Sequence, residues 1–176
     1  MSSKYLVTGA AGFIGSQVCR KLLDQGNQVV GIDNLNDYYS VELKDWRLAQ
    51  LKDHSFAENF SFRRFDIGKR ESLEEFFQEL GSFDAVINLA AGVGVRYSLE
   101  NPHVYLSTNV KGSLNLLDCM RQSGCSKLVL ASTSSLYAGQ TMPFKEDLPV
   151  NEPLSPYAAT KKAAELLAYS YHKLYG

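Results

Sequence analysis

Lys4-Tyr5-Leu6-Val7-Thr8-Gly9-Ala10-Ala11-Gly12-Phe13-Ile14-Gly15 joins a strand to a helix through glycines three apart. Lys4–Thr8 has β-forming character, and Ile14, Val18 and Leu22 then recur at spacing four as one apolar stripe of a helix that ends near Gly26. Glycine suits such a turn because a side chain would keep the backbone from an anion, while the free N–H groups of the helix's first turn bind one. A pyrophosphate is the anion of matching shape. The spacing is not G-x-G-x-x-G, so the context has to support it. The next strand, Gln28–Asp33, does so by ending in an acid. A carboxylate there accepts hydrogen bonds from adenosine ribose hydroxyls and repels a 2'-phosphate, so Asp33 favours NAD over NADP.

Outward from that unit, short apolar runs at 60–66, 84–90 and 127–132 alternate with helical patterns at 41–51, 71–80, 102–124 and from Pro156 to the end. Asn101-Pro102 and Ser155-Pro156 each read as an N-cap followed by Pro at the first helical position, and Leu106, Val110, Leu114 and Leu117 continue the first of these helices. Five strands with helical crossovers predict a Rossmann-type, doubly wound parallel α/β sheet, its strands buried on both faces and its ligand crevice at their carboxyl ends. Asp66-Ile67, closing the third strand, either brackets the adenine or caps the strand.

The composition is that of an ordinary folded domain. The 176 residues are 45% hydrophobic and 21% charged, with 18 basic against 19 acidic side chains and a net charge of -1. That balance carries no footprint for nucleic acid or an anionic membrane. No apolar run approaches the roughly 18 residues of a membrane span, so the chain reads as cytosolic. Cys19, Cys119 and Cys125 lack metal or C-x-x-C spacing and read as reduced packing residues, and the scattered His54, His103 and His172 predict no metal site.

Tyr157-Ala158-Ala159-Thr160-Lys161 puts a phenol and an ammonium one helical turn apart on one face. A free phenol titrates near 10, and bringing one into the neutral range takes roughly 4 kcal/mol of preferential phenolate stabilisation, which an adjacent Lys and a nicotinium ring together provide. Such pairs also occur on plain surface helices. The last strand ends in Ser132-Thr133-Ser134-Ser135, either a polar turn or hydroxyls facing the crevice. In the second case Thr133 bonds the reacting oxygen and completes a Thr/Tyr/Lys set for hydride transfer at an alcohol carbon.

With these pieces in order, the chain resembles the extended short-chain dehydrogenase/reductases, the nucleotide-sugar epimerases and dehydratases. The resemblance runs through Thr-Gly-Ala-Ala-Gly-Phe-Ile-Gly, Asp33-Asn34, Asp66-Ile67, Leu89-Ala90-Ala91, Asn109 in Asn-Val-Lys-Gly-Ser, the Ser-Thr-Ser-Ser run and Tyr-Ala-Ala-Thr-Lys. Within the family, 33–39 and 94–102 look most like UDP-glucuronate 4-epimerases. The resemblance implies bound NAD as a transient hydride carrier, held by Gly9, Gly12, Phe13, Ile14, Gly15, Asp33, Asn34, Asp66, Ile67, Leu89, Ala90, Ala91, Asn109, Tyr157 and Lys161. It implies that Tyr157 is the base at the sugar 4-hydroxyl, that Lys161 holds the nicotinamide ribose, that Thr133 orients the 4-oxygen, that Ser134 and Ser135 touch the sugar of a UDP-sugar substrate, and that Arg96 meets a uronate carboxylate or a phosphate.

Related 4,6-dehydratases carry Asp-Glu directly after this Thr and related decarboxylases a Glu two positions on. Ser134 and Ser135 stand there instead, which favours epimerisation. The family's usual His, Gln-Ala and Gly are replaced by Asn88, Gly92-Val93 and Ala138. Family members continue for about as many residues again, so 176 residues are expected to supply the NAD-binding domain without its last strands and the sugar-binding domain, and to bind NAD with little turnover alone. A non-catalytic nucleotide-binding domain is the other reading. The helices matching 102–124 and 156–175 pair subunits in the family, which implies a homodimer.

Overall fold

Strand β1 (Lys4–Thr8) lies at the centre of a parallel sheet, paired with β2 (Gln28–Asp33) on one side and β4 (Ala85–Asn88) on the other. β3 (Phe60–Arg64) and β5 (Leu128–Leu130) complete the order β3-β2-β1-β4-β5. This computed structural model describes residues 2–176. The chain moves outward through β2 and β3, then crosses back to β4, so the strand order reverses between β1 and β4 and opens a crevice above their carboxyl ends. The predicted doubly wound α/β sheet is therefore the observed one.

Period-two alternation divides the core. On one face Leu6, Val30, Ile32 and Val86 pack with Leu73, Phe76 and Phe77 of α3 (Arg70–Leu80) and Leu116, Cys119 and Met120 of α6 (Ser113–Ser123). On the other, Val7 and Val29 meet Cys19 and Leu23 of α1 (Phe13–Asp24) and Leu48 and Leu51 of α2 (Val41–Lys52). Cys19, Cys119 and Cys125 are free and buried, and burial pushes the Cys19 thiol up to about 12. No helix among the described residues is long and apolar enough to cross a membrane.

Several local expectations change. The fully buried face of α1 is Gly15, Ser16, Cys19 and Leu23; of the expected stripe, Val18 and Leu22 are half-buried against the same core, while Ile14 is 61% exposed at the crevice. The helix is rotated because Gly15 has to seat against the turn before it. Burial on both faces fails for β3 and β5, which are the sheet's edges and expose Ser61, Arg63, Arg64 and Val129. The strands also end early. Past β4, the N–H groups of Leu89 and Ala90 donate to Thr8 Oγ1 rather than to a ladder partner, which turns the chain into the crevice.

A short helix, α4 (Val95–Glu100), forms where none is predicted from the sequence. The expected helix at 102–124 is a continuous helical rod in three parts: α5 (Pro102–Tyr105), a π-helical segment (Leu106–Gly112) and α6. The wider π turn shifts the faces, so Tyr105, Asn109, Leu116 and Met120 are buried while Leu106 is exposed. The last helix, α7, spans Pro156–Tyr175.

Candidate functional site

The turn after β1 is built from backbone alone. Gly9 has φ +67, and a Cβ on Gly15 would lie 2.0 Å from Gly9 O, so α1 reaches the turn only because both positions lack a side chain. α1 starts at Gly12 with no side chain capping it, which leaves the N–H groups of its first turn facing the crevice. Beneath the turn, Thr8 Oγ1 donates to Asn88 Oδ1 at 2.6 Å and Asn88 Nδ2 donates to Ser113 Oγ, all buried. Asn88 thus belongs to the floor supporting the site.

At one end of the crevice Asp33 is buried and already engaged: Oδ2 accepts from Ala11 N at 3.2 Å and Oδ1 from Leu35 N at 2.8 Å. It therefore shapes the glycine turn and holds Leu35 at φ +52, while each oxygen keeps acceptor capacity for a ligand hydroxyl. Asn34 Nδ2 donates to Asp66 Oδ2, and Asp66 Oδ1 accepts from Gly68 N. A side chain not singled out from the sequence, Lys44, is 3% exposed and donates to Asn36 O and Oδ1 at 2.7 and 3.0 Å. Burial lowers its pKa, against the pull of Asp33. Arg47 donates to Tyr39 Oη at 2.9 Å and lies over the Phe13 ring.

At the other end, Ser155 Oγ accepts from Ala158 N at 3.1 Å and Pro156 starts α7, as the Ser-Pro signal predicts. That helix start aims Tyr157 and Lys161 into the crevice. Lys161 is 5% exposed, and burial lowers its pKa while Glu165 one turn on raises it. Ser132, on the crevice wall, donates to Glu165 Oε1. Thr133 Oγ1 accepts from Ser135 N at 3.1 Å and starts the 3-10 turn Ser134–Tyr137.

These parts enclose one cavity of about 560 Å³, within the range of small-molecule and cofactor sites. Gly9, Gly12, Phe13, Ile14, Gly15, Asp33, Asn34, Asp66, Ile67, Leu89, Ala90, Ala91, Tyr157 and Lys161 all line it. Thr133, Ser134, Ser135, Arg96 and Asn109 are not in its wall. The three hydroxyl residues follow Ser132, which lines the cavity, and Arg96 is exposed on α4 beside Tyr97, which lines it too. Asn109 is buried behind the wall, where Oδ1 accepts from Gly92 N and Nδ2 donates to Gly92 O and Thr160 Oγ1.

A family model described as "GDP-mannose 4,6 dehydratase" matches residues 6–176. The chain belongs to this family, within the extended short-chain dehydrogenase/reductases. A UDP-glucuronate 4-epimerase of Thermodesulfobacterium geofontis is 60% identical over 172 residues, which cover 98% of this chain and 52% of that protein. Protein CapI of Staphylococcus aureus is 44% identical over 173 residues, 98% of this chain and 50% of CapI. The UDP-glucuronic acid 4-epimerase of Bacillus cereus, crystallised with UDP-glucuronic acid and NAD, has a TM-score of 0.85 at 38% identity, over 98% of this chain and 53% of that one. The chain thus spans about half the length of the curated relatives it matches.

In this dehydrogenase/reductase chain, sequence reasoning missed Lys44, Tyr38, Tyr97 and Tyr105, all of which line the cavity. The rings of Tyr38 and Tyr97 meet at 5.2 Å, joining the loop after β2 to α4. One signal was available: six aromatic, acidic and amide side chains crowd into 33–39, dense for a solvated loop.

Proposed function

We propose that this chain is the cofactor-binding and proton-transferring half of an NAD-dependent 4-epimerase of a UDP-sugar, UDP-glucuronate foremost. The observation that carries the reading is the shared cavity: the Tyr157–Lys161 pair faces the same space as the glycine turn and Asp33. The 60% identity to a UDP-glucuronate 4-epimerase supports the choice of sugar. Ser134 and Ser135, in place of the acids of dehydratases and decarboxylases, support epimerisation.

The cavity fits NAD on chemical grounds. The side-chain-free turn and the uncapped start of α1 suit a pyrophosphate, and Asp33 suits ribose hydroxyls. Gly9, Gly12, Phe13, Ile14, Gly15, Asp33, Asn34, Asp66, Ile67, Leu89, Ala90 and Ala91 would hold it, with Lys161 on its second ribose and Asn109 supporting the wall from behind. Bound NAD supplies reversible two-electron redox chemistry at the sugar carbon. Tyr157, as the phenolate, takes the proton of the sugar 4-hydroxyl and gives it back to the same oxygen after the 4-keto sugar has turned over. The Lys161 ammonium, desolvated by burial, favours the phenolate electrostatically. Thr133 Oγ1 already accepts from Ser135 N, so its own proton is left to donate to the 4-oxygen. Ser134 and Ser135 meet the sugar, and Arg96 its carboxylate or the diphosphate.

The same reading proposes a homodimer through the 102–124 and 156–175 helices and, with three free buried thiols, residence in the cytosol. It is tested at two levels. The 176-residue chain should bind NAD, followed through the sole tryptophan, Trp46, next to Arg47 on α2. The whole enzyme, with the C-terminal half its relatives possess, should interconvert UDP-glucuronate and its 4-epimer, and Tyr157→Phe should keep NAD while losing about 10³-fold in turnover. Wild-type turnover in that variant removes Tyr157 from the base role.

A further inference from the structure

Tyr105 ends α5 at the floor of the cavity and is fully buried, an unusual place for a phenol. Its hydroxyl lies 2.6 Å from Val93 O and 2.9 Å from Gly94 O, so one proton serves the two carbonyls that follow β4. Its ring meets the Tyr157 ring edge-on, with centroids 5.9 Å apart. A Cβ on Gly92 would come within 3.3 Å of the same ring, so the loop backbone rests on it. One turn later Asn109, in the π-helical segment, bonds both polar atoms of Gly92 and reaches Thr160 Oγ1, which in turn donates to Tyr157 O.

The two walls beside the phenol of Tyr157, the loop at 92–94 and the first turn of α7, are thus both held from one face of one helical rod. We infer that Tyr105 is a positioning residue for Tyr157: its ring fixes the plane of the phenol and its hydroxyl holds the facing loop at the distance a sugar needs. This rests on Tyr157 being the base. The hydroxyl is a donor throughout the working range, because burial first, and then the neighbouring Tyr38, Tyr97 and Tyr157, push its pKa up to about 12. A residue of packing value alone would lose nothing as Phe, since the ring is retained.

The test uses the whole enzyme with UDP-glucuronate, rates being taken per NAD-loaded site so that unfolded protein does not count. Tyr105→Phe keeps the ring and frees the loop: kcat should stay within about 3-fold while KM rises about 10-fold, and amide exchange at Gly92 should quicken about tenfold with or without substrate. Tyr105→Leu removes the ring as well, and misplacing the phenol by about an ångström should lower kcat by about 10- to 100-fold, a loss that Phe rescues. Wild-type kcat per loaded site in Tyr105→Leu, or wild-type KM and exchange in Tyr105→Phe, overturns the inference. Should the leucine variant not fold, the phenylalanine variant decides alone by the same criteria. Tyr157→Phe separates the two readings. If it is inactive and the Tyr105 variants behave as wild type, only the positioning role fails; if it is fully active, the base assignment fails and takes this inference with it.

Discussion

A buried ammonium costs folding energy, and Lys161 sits 5% exposed with Glu165 a turn away, its pKa lowered by desolvation. A lowered folded value means that the protonated form is disfavoured by folding. The penalty is complete below the folded pKa and fades as pH rises through it toward the unfolded value near 10.4. Lys161→Met should therefore stabilise the cofactor-free chain at pH 7 by about 1 kcal/mol, a rise of about 2–4 °C in Tm, with the gain shrinking as pH rises through the lowered folded value and gone above about pH 10.4. Thermal unfolding at pH 7 and pH 10.5 checks this, and a destabilised Met variant at pH 7 contradicts it. Residues of this kind were legible in the sequence where chemistry fixes their spacing: Gly9, Gly12 and Gly15 by the turn, Asp33 by the strand end, Tyr157 and Lys161 by the helical repeat. Tyr105 and Lys44 were not, because a buried tyrosine or lysine differs from a surface one only through the partners that folding brings to it, here Val93–Gly94 and Asn36.

At the level of elements, the carboxyl ends of β1 and β4 are tied by one hydroxyl. Thr8 Oγ1, fully buried, donates to Asn88 and accepts from the N–H groups of Leu89 and Ala90. Thr8→Val keeps the shape and strips the buried Asn88 amide and two half-buried N–H groups of their partner, so it should cost about 3 kcal/mol, read as a lower urea midpoint. A loss below about 1 kcal/mol would show that the floor relaxes without it. This tie also explains why strand existence was legible and strand length was not. Apolar character continues to Ala90, yet a side chain eighty residues away captures the backbone there. Helix faces were legible only in part for a related reason: Val18, Leu22 and Leu117 do pack inward, but the close seat of Gly15 and the π-helical segment turn Ile14 and Leu106, the first members of their stripes, out of the core.

Across the whole molecule, part of the apolar surface left open lies side by side on the last helices. Leu106 of the rod and Leu166 and Tyr169 of α7 are between 51% and 61% exposed, and Leu99 of α4, which packs with α7, is 64% exposed. Scattered single apolar residues are ordinary, but a group on adjoining helices is the surface expected where helices from two copies meet. The internal ties of these helices leave that surface free: Tyr171 Oη donates to Asp118 Oδ1 at 2.7 Å and the Arg121 guanidinium lies over the Tyr175 ring, both between α6 and α7. Under the dimer reading, the whole enzyme should sediment as two copies at about 10 µM, and Leu106→Asp with Leu166→Asp should yield a monomer that still binds NAD, because neither side chain lines the cavity. A monomeric wild type removes the dimer reading, and a dimer indifferent to both charges moves the interface elsewhere. If instead the double variant becomes monomeric and also loses NAD, the helices that carry Tyr105 and Tyr157 depend on the partner copy for their placement, and the site is then a property of the assembly.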